Sequence, residues 1–425
     1  NMARVAVFAA LLAAVCLLAG ARASAVRLTE LHELQAHAVA LGHGTTPQGM
    51  LDALLHLHAV QKVIDAQDAF SLYVTALGKQ YDSEDFAHRQ TVFLSTLATV
   101  AEHNAGGASN FTLGINRFSD WTDEEFQAVY LQGMGRKANE FVPPEVPQPE
   151  EAPDAYRSFA YEHVADVPDS IDWHAAGKVG AIKDQHINGT ACGCCWSFAC
   201  IGVLETAIAI GTGKPPVSLA EQQLIACDYH PEDQAGNAGC EGGYWWKGFD
   251  YIIKNGGIDA MADWPYLGKN SQCDSEKESN NKVATIDGYE FIDYWNETAL
   301  IATVANQPAV VEVCVGLPFL HLWKSYRGGI FDIDGCYEEI DHGITVVGYD
   351  MAGYGGQGTW LLKNSWGEVW GEGGYLRVPM GMGKKPAEGK QMGQFNMYHR
   401  PAYPFVPKGD KPVTFRRSEQ LSATA

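Results

Sequence analysis

Helical periodicity dominates the upstream part of the chain. From about residue 28 to residue 105, apolar side chains return every three or four positions, as on one face of an α-helix. One group with this spacing consists of Leu51, Leu54, Leu55, His58 and Ala59. A second helical pattern runs from Ser83 to Asn104, with an apolar face formed by Phe86, Phe93, Leu97 and Val100. The sequence therefore predicts a helix-rich upstream region.

Another apolar helix is predicted near the middle of the chain. Its buried face follows the i, i+3, i+4 rule at Trp196, Ala199, Cys200, Val203, Leu204, Ala207 and Ile208. The pattern ends at GTGKPP, which is a helix terminator. Ser218 and Glu221 then have the spacing of a capping box, which predicts a further helix from Leu219 to Cys227.

Short runs typical of β-strands follow Pro308. AVVEVCV, HGITVVGY, TWLLKNSW and GYLRV are apolar or alternating and are separated by glycines. Helices followed by an antiparallel sheet predict an α+β fold. Between the two regions lies FVPPEVPQPEEAPDAYRS, residues 141–158, which is rich in proline and acid and has no periodicity. We expect this stretch to be an extended, cleavable linker.

The N-terminal residues have the pattern of a secretory signal peptide. Arg4 precedes an apolar run from Val5 to Gly20, and the small residues ARASA follow. We expect residues 1–25 to be removed and the chain to enter an oxidising compartment. A membrane anchor is the alternative, which the shortness of the run disfavours. No later stretch looks long enough to span a bilayer, so we expect no stable membrane insertion.

Charge and cysteine content narrow the function classes. A formal net charge of -21 over 425 residues argues against nucleic acid or an anionic membrane surface as a partner. Of the ten cysteines, Cys16 lies in the predicted signal peptide, which leaves an odd number. An odd number of cysteines in a secreted chain predicts a free thiol.

Three of the cysteines lie in CGCCWSF, residues 192–198. Cys195 lies at the N-terminal edge of the predicted helix, where backbone N–H groups and the helix dipole stabilise a thiolate. It is therefore a candidate nucleophile. Three alternatives stay open: a redox pair of Cys192 and Cys195, a metal site that adds Cys194 and Cys200, and plain disulfides. The missing βαβ context disfavours the redox pair, and the apolar environment of Cys200 disfavours the metal site.

A nucleophilic cysteine needs a base, and the base needs an orienting group. His342 begins the predicted strand in IDHGITVVGY, and Asn364 lies in LLKNSWGEVWG before a glycine-rich turn. A lone histidine on an apolar strand is more often structural. Three such features in one order nevertheless point to nucleophilic catalysis.

At these positions the chain resembles the papain-like cysteine proteases of the cathepsin L-like branch. The family element Q-x2-C-G-S-C-W is similar to Gln185 through Trp196, D-H-[AG] to Asp341 through Gly343, and K-N-S-W-G to Lys363 through Gly367. The element G-C-x-G-G-Y is matched by Gly239 through Tyr244. The resemblance implies an α+β, papain-like fold of two subdomains, one helical and one an antiparallel, barrel-like sheet, preceded by a helical propeptide.

The upstream region resembles the inhibitory propeptide of the same branch. The helical signature is similar at Asp85, Arg89, Phe93, Val100 and Asn104, with Thr96 where the family has asparagine. The element G-x-N-x-F-x-D is matched by Gly114, Asn116, Phe118 and Asp120. The resemblance implies a propeptide over residues 27–140, a processing site within 141–166, a protease domain over 167–405 and a polar tail over 406–425.

The resemblance also implies a role for each catalytic residue. Cys195 would be the nucleophile, His342 its base, and Asn364 the group that orients the imidazole, with Trp366 shielding that contact. The Gln185 amide and the Cys195 backbone N–H would hold the oxyanion. The implied activity is that of a cysteine endopeptidase made as a zymogen, with no metal or organic cofactor. No cathepsin B-like occluding insertion is visible, which disfavours dipeptidyl carboxypeptidase activity.

The resemblance implies two disulfides, Cys192–Cys240 and Cys227–Cys273. Cys336 matches one half of a third family bridge whose other half falls at Phe395, so we expect Cys314 to replace it. Cys194 occupies a position where the family usually has serine or alanine. We expect it to be a small buried filler, with an oxidation-sensitive second thiol as the alternative.

By resemblance, Gly242 and Gly243 bind the substrate backbone. The other substrate-binding candidates are Tyr244, Trp245, Glu312, Ile340, Asp341, Gly343, Trp366 and Arg400. An isolated Glu312 in the S2 pocket would favour a basic P2 residue, and an isolated Arg400 an acidic one. We favour a mutual ion pair that leaves a mainly apolar pocket, with two exposed charges as the alternative.

Six residues, HINGTA, lie between Gln185 and Cys192, where the family usually has two. We expect this insertion to bulge at the rim of the site, leave Gln185 in place and carry a glycan at the sequon of Asn188. The alternatives are a harmless insertion, a gene-model error and a displaced Gln185. Further sequons occur at Asn110 and Asn296.

The implied partners are peptide and protein substrates, cystatin-type inhibitors and the chain's own propeptide as an intramolecular inhibitor of a monomer. We expect the propeptide to loosen in acid as carboxylates such as Asp120 gain protons. The expected location is the secretory pathway, ending in a lysosome-like or vacuolar compartment or outside the cell. A weak or inactive homologue with a binding role and a thiol-disulfide oxidoreductase are the alternative functions.

Overall fold

The structure is a computed structural model whose described residues form two compact units. The first unit joins the chain up to Asp123 with His321–Gly328, and the second contains Glu124–Leu320 and the chain from Gly329 onward. The described residues are 31–58, 64–131, 161, 166–187, 190, 192–233, 236–333, 335, 340–381, 383 and 391–406. The predicted signal peptide, the linker 141–158, Cys336, Asn188 and the tail from residue 407 lie outside them.

The helices are numbered in chain order. They are α1 (Leu31–Ala40), α2 (Pro47–His56), α3 (Ala66–Ala76), α4 (Ser83–Gly106), α5 (Asp123–Tyr130), α6 (Cys195–Thr212), α7 (Glu221–Cys227), α8 (Trp245–Asn255), α9 (Ser275–Asn280), α10 (Glu297–Val304) and α11 (Leu320–Ser325). Short 3-10 turns occur at Gly239–Glu241, Tyr354–Gly356 and Gln394–Asn396.

The strands are short, apart from one in the middle of the main sheet. They are β1 (Phe111–Leu113), β2 (Ser170–Asp172), β3 (Ile258–Asp259), β4 (Lys282–Ala284), β5 (Gly288–Phe291), β6 (Ala309–Val313), β7 (Tyr326–Gly329), β8 (His342–Asp350), β9 (Thr359–Lys363), β10 (Tyr375–Pro379) and β11 (Ala402–Phe405). Helices and antiparallel strands together give the α+β class that the sequence predicts.

The first unit has a core made by the helices α1 to α4. Side-chain oxygens of Thr46, Asp65 and Asp82 accept backbone N–H bonds at the starts of α2, α3 and α4, which satisfies groups that a helix leaves unpaired. α4 buries Phe93, Leu97 and Val100, as its periodicity predicts, whereas Phe86 is half-buried. β1 pairs with β7, so a distant part of the chain enters this unit.

The second unit is built around α6. This helix begins at Cys195 and ends before Gly213, whose φ of 70° is the left-handed conformation that glycine adopts without strain. Length and apolarity alone would allow α6 to cross a membrane, against our expectation that no stretch would be long enough. However, 83% of this helix is buried inside the structure, which explains the apolarity because a central core helix is apolar on every side.

The predicted capping box at the start of α7 is wrong. α7 begins at Glu221, two residues later than predicted, and its N-cap residue is Ala220, which offers no side-chain acceptor. The Ser218 hydroxyl points to the sulfur of Met261, and a Glu221 carboxylate oxygen lies 2.6 Å from Lys183 Nζ. A tertiary ion pair therefore replaces the local hydrogen bond.

The main sheet brings three distant segments together. Its strand order is β10-β9-β8-β6-β11-β5, with β2 also paired to β8. On β6, Val313 lies opposite His342 and Glu312 opposite Gly343. β9 pairs with β8, and Lys363 on β9 lies opposite Thr345 on β8. Because β9 ends at Lys363, the next residue, Asn364, follows the strand that neighbours the one carrying His342.

Candidate active site

Cys195 is the first residue of α6 and is fully buried. The disulfide Cys192–Cys240 fixes the chain just before it, and the Gly193 N–H donates to the Cys240 carbonyl oxygen at 2.9 Å. At the first residue of a helix the backbone N–H has no partner within the helix. The N–H of Cys195 is therefore positioned to bind a developing negative charge beside its own sulfur.

The imidazole of His342 has a fixed orientation. Its Nε2 lies 2.8 Å from Asn364 Oδ1, and the same oxygen accepts the Ser365 backbone N–H at 2.8 Å. Because the Ser365 N–H requires an acceptor, it identifies Oδ1 as the atom facing the ring. His342 Nε2 must then carry the hydrogen, which leaves Nδ1 as the basic nitrogen. Nδ1 is buried and has no hydrogen-bond partner among the described residues.

The helix α6, which begins at Cys195, packs against the strand β8, which begins at His342. The backbone N–H of Gly343, the residue after His342, is among the groups that act on the Cys195 thiol. Burial raises the pKa of that thiol to about 12, although the N–H groups of Gly343 and Trp196 act in the opposite direction. Burial likewise lowers the pKa of His342 to about 4, whereas the hydrogen bond that its Nε2–H donates to Asn364 acts in the opposite direction. At neutral pH the Cys195 thiol and the His342 imidazole are therefore both uncharged in this structure.

An aromatic cluster covers the contact between His342 and Asn364. The ring of Trp366 lies 4.9 Å from the His342 ring and 4.9 Å from Trp370, and all three rings are fully buried. Phe126 and Tyr130 of α5 approach Trp366 edge-on, with ring centroids 4.9 and 5.9 Å away. These rings keep water away from the hydrogen bond between His342 and Asn364. That bond is stronger as a result, because the local dielectric constant is low.

Gln185 is buried, and both the oxygen and the nitrogen of its side-chain amide are hydrogen-bonded. Its Oε1 accepts the Ser365 hydroxyl at 2.8 Å, and its Nε2 donates to the carbonyl oxygens of Tyr130 at 3.3 Å and Cys192 at 3.4 Å. Its backbone N–H donates to the Ser365 carbonyl oxygen at 2.9 Å. The amide donor therefore faces the start of α6, and a backbone carbonyl of α5 occupies it.

The described part of the inserted loop lies beside Gly268. A Cβ at that position would meet the Thr190 hydroxyl and come within 3.1 Å of the Ile187 side chain. The Tyr266 hydroxyl donates to the Gln185 carbonyl oxygen at 2.6 Å. The loop thus packs against the segment that also holds Gln185, while Asn188 lies outside the described residues.

Gly243 lies against Trp196 at the start of α6, and Gly242 precedes it. Gly242 has a φ of 108°, which strongly favours glycine. A Cβ on Gly243 would lie 2.4 Å from Asn237 Oδ1 and 2.9 Å from Trp196 Cδ2, so only glycine fits there. Asn237 also accepts the Tyr244 N–H at 2.6 Å, which keeps this backbone extended.

Glu312 and Arg400 form a buried ion pair. Arg400 Nη2 lies 2.7 Å from Glu312 Oε2, and Trp245 Nε1 donates to Glu312 Oε1 at 3.0 Å. The Arg400 guanidinium lies 5.2 Å from the ring of Trp246. Burial raises the pKa of Glu312, whereas Arg400 acts in the opposite direction. Of the arrangements considered from the sequence, the structure has the mutual pair.

The remaining candidates for substrate contact are half-buried or part of the sheet. Tyr244 and Ile340 are half-buried. Asp341 is also half-buried, and its carboxylate accepts the backbone N–H groups of Val315 at 2.8 Å and Gly316 at 3.1 Å. That pairing makes Asp341 a support of the loop after β6.

Most of the other described cysteines are either bridged or buried as free thiols. Cys227 is bridged to Cys273, and Cys314 is disulfide-bonded to a partner outside the described residues. Cys194 and Cys200 are buried free thiols whose pKa is raised by burial, and Cys194 Sγ lies 3.1 Å from the Tyr266 hydroxyl. With Cys192 bridged and Cys195 free, neither a Cys192–Cys195 redox couple nor a four-thiolate metal site forms.

The upstream motif residues converge on Asp120 in the first unit. Its buried carboxylate accepts the hydroxyl groups of Tyr73 and Tyr81 and pairs with Lys79. Arg89 donates to the Asp120 carbonyl oxygen at 3.0 Å and pairs with Asp85 at 3.2 Å.

The other motif residues connect α4 with β1 and with the turn that follows β1. Asn104 exchanges two hydrogen bonds with Leu113, and the Phe118 N–H donates to Asn116 Oδ1 at 2.9 Å. Phe93, Val100 and Phe118 are buried, and Gly114 lies against Arg327.

Sequence reasoning missed several residues that support the site. Ser365 lies inside the quoted K-N-S-W-G element, so its position was visible although its two contacts were not. Tyr266 and Asn237 belong to irregular segments without periodicity, and no local pattern identifies them. The aromatic face of α5, with Phe126 and Tyr130, has a short helical spacing that could have been noticed.

Two family models match the chain. The model described as papain family cysteine protease matches residues 167–396, and the model described as cathepsin propeptide inhibitor domain (I29) matches residues 70–126. Among curated proteins, the chain is 38% identical over 337 residues to a senescence-specific cysteine protease SAG39 of Oryza sativa subsp. japonica. That alignment covers 78% of this chain and 88% of the rice protein. A probable cysteine protease RD21C of Arabidopsis thaliana is 35% identical, with 79% and 68% covered.

Solved structures of proforms have the same fold. The proform of the ragweed pollen allergen cysteine protease Amb a 11 superposes with a TM-score of 0.66 at 29% identity, covering 81% of this chain and 95% of that one. A digestive procathepsin L 3 of Tenebrio molitor gives a TM-score of 0.65 at 29% identity, covering 80% and 99%. The expectation of a two-subdomain α+β fold behind a helical propeptide is therefore confirmed.

Proposed function

This chain belongs to the papain family of cysteine proteases, and we propose that it hydrolyses peptide bonds through Cys195, His342, Asn364 and Gln185. The observation that supports these roles is the orientation of His342. Its Nε2 is committed to Asn364, and its Nδ1 has no hydrogen-bond partner among the described residues. The N–H of the next residue, Gly343, acts on the Cys195 thiol. A thiol and a basic nitrogen in that arrangement can exchange a proton.

The reaction begins with proton transfer from Cys195 to His342 Nδ1. The thiolate attacks the substrate carbonyl carbon, and the oxyanion is stabilised by the Cys195 N–H and the Gln185 amide, each worth about 3 kcal/mol in sites of this kind. His342 then protonates the leaving amine, which leaves a thioester on Cys195. Water, deprotonated by the same nitrogen, hydrolyses the thioester and restores the thiol.

In the unprocessed chain the helix α5 holds this site inactive. The carbonyl oxygen of Tyr130 accepts the Gln185 amide N–H, which is the donor that a substrate oxyanion needs. Burial keeps Cys195 as a thiol and His342 as a neutral imidazole. The helix α5 adds to the cover of His342 because Phe126 and Tyr130 pack on Trp366, which lies against the imidazole. Removal of α5 admits water, lowers the cost of charging both groups and frees the oxyanion donor.

Activation in acid is part of the same proposal, and the element that it would loosen is the buried cluster around Asp120. Its carboxylate is buried among Tyr73, Tyr81 and Lys79, while Arg89 bonds its carbonyl oxygen. Disruption of this cluster would leave Lys79 without its counter-charge and the two tyrosine hydroxyl groups without their acceptor. The first unit would then lose stability, and the propeptide would release the enzyme.

The processing boundaries belong to the same proposal. Residues 27–140 would form the propeptide, cleavage would fall within 141–166, and the mature enzyme would begin near Val167, where the papain-family match begins. Endopeptidase activity on peptide and protein substrates is the form proposed. Gly242 and Gly243 would bind the substrate backbone, and Glu312 with Arg400 would close an S2 pocket that prefers apolar side chains.

The proposed location is the secretory pathway, with an acidic vacuolar or lysosome-like compartment, or the extracellular space, as destination. The disulfides Cys192–Cys240 and Cys227–Cys273 support an oxidising compartment. Asn110 is exposed and Asn296 is half-buried at the start of α10, so both sequons are candidates for glycosylation. Cystatin-type inhibitors and a monomeric mature enzyme complete the proposal.

Expression of the full-length zymogen tests the proposal. After acidification, the mass of the chain and the hydrolysis of a fluorogenic dipeptide amide are followed together, with Cys195→Ala as the matched control. A product that begins near Val167 and cleaves the amide only when Cys195 is present supports the proposal. A folded, processed chain that never turns over would reject it in favour of a binding role.

A further inference from the structure

The helices α1 and α2 precede the inhibitor domain, whose match begins at residue 70. They lie in the unit that also contains His321–Gly328, a segment of the papain-family match. We propose that α1 and α2 form a second inhibitory anchor, which binds the protease segment His321–Gly328 through Asp52 and Arg327. This inference rests on the proposed function, because an anchor of this kind regulates a protease.

The two helices are an integral part of the folded propeptide. They share one apolar core with α3 and α4, which includes Leu34, Ala38, Met50, Leu51, Leu54, Phe70, Tyr73, Phe93 and Leu97. The start of α2 is fixed by the Thr46 hydroxyl, which accepts the Gly49 N–H at 3.1 Å, and by Pro47 in the first turn. α2 therefore presents its polar side chains in defined positions.

Asp52 of α2 binds Arg327 with both carboxylate oxygens. Its Oδ2 lies 2.9 Å from Arg327 Nη2, and its Oδ1 accepts from Arg327 Nε at 3.3 Å. Gln48, one turn earlier, donates to Asp52 Oδ1 at 3.0 Å and to the Ile115 carbonyl oxygen at 3.0 Å. The carboxylate is thus oriented before it meets the guanidinium, and two parallel bonds make this one of the stronger ion-pair geometries.

Arg327 lies between the helical pair and the inhibitor domain. A Cβ on Gly114 would come within 3.0 Å of Arg327 Cδ, so the absence of a side chain at Gly114 lets the arginine stem pass. The Gly114 N–H donates to the Ser325 carbonyl oxygen at 2.7 Å, and Asn116 Nδ2 donates to the Lys324 carbonyl oxygen at 2.7 Å. The inhibitor domain therefore binds the backbone of His321–Gly328, and Asp52 adds a contact to a side chain of the same segment.

The added contact should be moderate in strength. The Arg327 side chain is 34% exposed and that of Asp52 20% exposed, so solvent screens the pair in part. A contact of this kind changes how quickly the segment is released without deciding whether the zymogen folds. The helical pair would then set the rate of activation.

Charge exchange in the full-length zymogen tests the anchor. We expect Asp52→Asn and Arg327→Gln each to speed acid processing about fivefold, in line with a partly exposed ion pair. The double variant Asp52→Arg with Arg327→Asp restores the pair and should return processing toward the original rate. Glu102→Gln, which removes an exposed charge of the same unit, is the matched control and should leave the rate unchanged.

The outcomes separate this inference from the proposed function. Asp52 is absent from the mature enzyme, so the Asp52→Asn product should have the original kcat/KM. Equal processing rates for Asp52→Asn, Glu102→Gln and the unchanged chain would overturn the anchor while leaving the protease intact. An exchange variant as fast as Asp52→Asn would also overturn it, because Asp52 would then act only through the fold of α2.

A second measurement does not depend on processing. In the Cys195→Ala zymogen, hydrogen exchange of the backbone amides in 321–328 should quicken with Asp52→Asn and recover in the exchange variant. Unchanged exchange in that segment would reject the contact even if processing differs. Failure of every variant and of the unchanged chain to process would instead count against the proposed function.

Discussion

The hydroxyl group of Tyr266 donates a 2.6 Å hydrogen bond to the backbone carbonyl oxygen of Gln185. The two residues are far apart in the sequence, and the inserted loop that follows Gln185 packs beside Gly268 in the same segment as Tyr266. The segment around Tyr266 thus fixes one side of the residue proposed as an oxyanion donor. This relationship explains how a longer loop between Gln185 and Cys192 is compatible with an ordered Gln185.

Tyr266→Phe should therefore slow the mature enzyme without abolishing it. The backbone of Gln185 would lose one hydrogen bond, so we expect kcat to fall about tenfold, less than the roughly 10²- to 10³-fold cost of losing an oxyanion donor outright. KM should change little. Steady-state kinetics on a dipeptide amide measures both.

A double variant separates positioning from a general loss of structure. In a Gln185→Ala background, Tyr266→Phe should have almost no further effect on kcat, since the amide that it positions is gone. Tyr251→Phe, which removes a hydroxyl bonded to Glu278 outside the site, serves as control. Additive effects of the two substitutions would contradict a positioning role for Tyr266.

Asn364→Ala should move the alkaline limb of the kcat/KM profile to lower pH. The Asn364 hydrogen bond raises the pKa of His342 because it stabilises the imidazolium. Without that bond the imidazolium loses its proton at a lower pH, so the reactive ion pair with Cys195 disappears earlier as pH rises. A pH–rate profile of the mature enzyme measures the shift, and an unchanged limb would show that His342 is oriented by other groups.

Cys195 should react far more slowly in the zymogen than in the mature enzyme. Burial raises the thiol pKa to about 12, so at pH 7 only about 10⁻⁵ of the zymogen carries the thiolate. We expect iodoacetamide to modify the zymogen at least about 100-fold more slowly, as measured by mass spectrometry of the Cys195 peptide. Equal rates in the two forms would mean that the propeptide does not shield the sulfur.

Arg400→Gln should create a preference for basic P2 residues that depends on pH. Removing Arg400 leaves Glu312 buried without its counter-charge, and burial already raises the pKa of that carboxyl. The raised pKa means that Glu312 ionises only as pH rises, so the preference should be absent in acid and grow toward neutral pH. A P2 library at two pH values measures it, with an expected gain of about tenfold, or ~1.4 kcal/mol.

The matched control is the double variant Glu312→Gln with Arg400→Gln, which should show no charge preference at either pH. If Arg400→Gln alone left the P2 profile unchanged at both pH values, the pair would lie outside the S2 pocket. The buried ion pair would then serve only the fold.

Lys183→Met should destabilise the zymogen strongly. Lys183 Nζ lies 2.6 Å from a carboxylate oxygen of Glu205 and 2.6 Å from one of Glu221, and both glutamates are buried. Without Lys183, Glu221 loses its counter-charge and Glu205 keeps only Lys363, whose Nζ lies 3.7 Å away. Loss of one partner from a buried ion pair typically costs about 3–5 kcal/mol. Urea unfolding in a Cys195→Ala background measures the loss, and Lys269→Met at an exposed position should change the midpoint little.

Local patterns predicted the regular elements well. The periodicity of α4 and α6 and the alternating runs of β6, β8, β9 and β10 agree with the observed bounds to within a few residues, because both depend on short-range backbone geometry. The start of α7 was missed because Glu221 pairs with Lys183 and not with its own helix. A tertiary partner there outweighed a local signal.

The sequence by itself determined the kind of chemistry. A cysteine at a helix start, followed in order by His342 and Asn364, limits the candidates for nucleophile, base and orienting group. The resemblance to known proteases supplied the pairing of Cys192 with Cys240, which spacing alone cannot give because cysteines pair across space. Helix and strand periodicities likewise belong to the sequence, since each arises among neighbouring residues.

The tertiary structure decided which atoms meet. The Ser365 N–H turns Asn364 Oδ1 toward His342, Tyr130 occupies the Gln185 amide, Glu312 pairs with Arg400, and Asp52 reaches Arg327. Each contact joins side chains or backbone groups from segments whose relative position depends on strand register and helix packing. A shift of one residue in a strand would turn Glu312 to the opposite face of the sheet, so no local pattern could have fixed its partner.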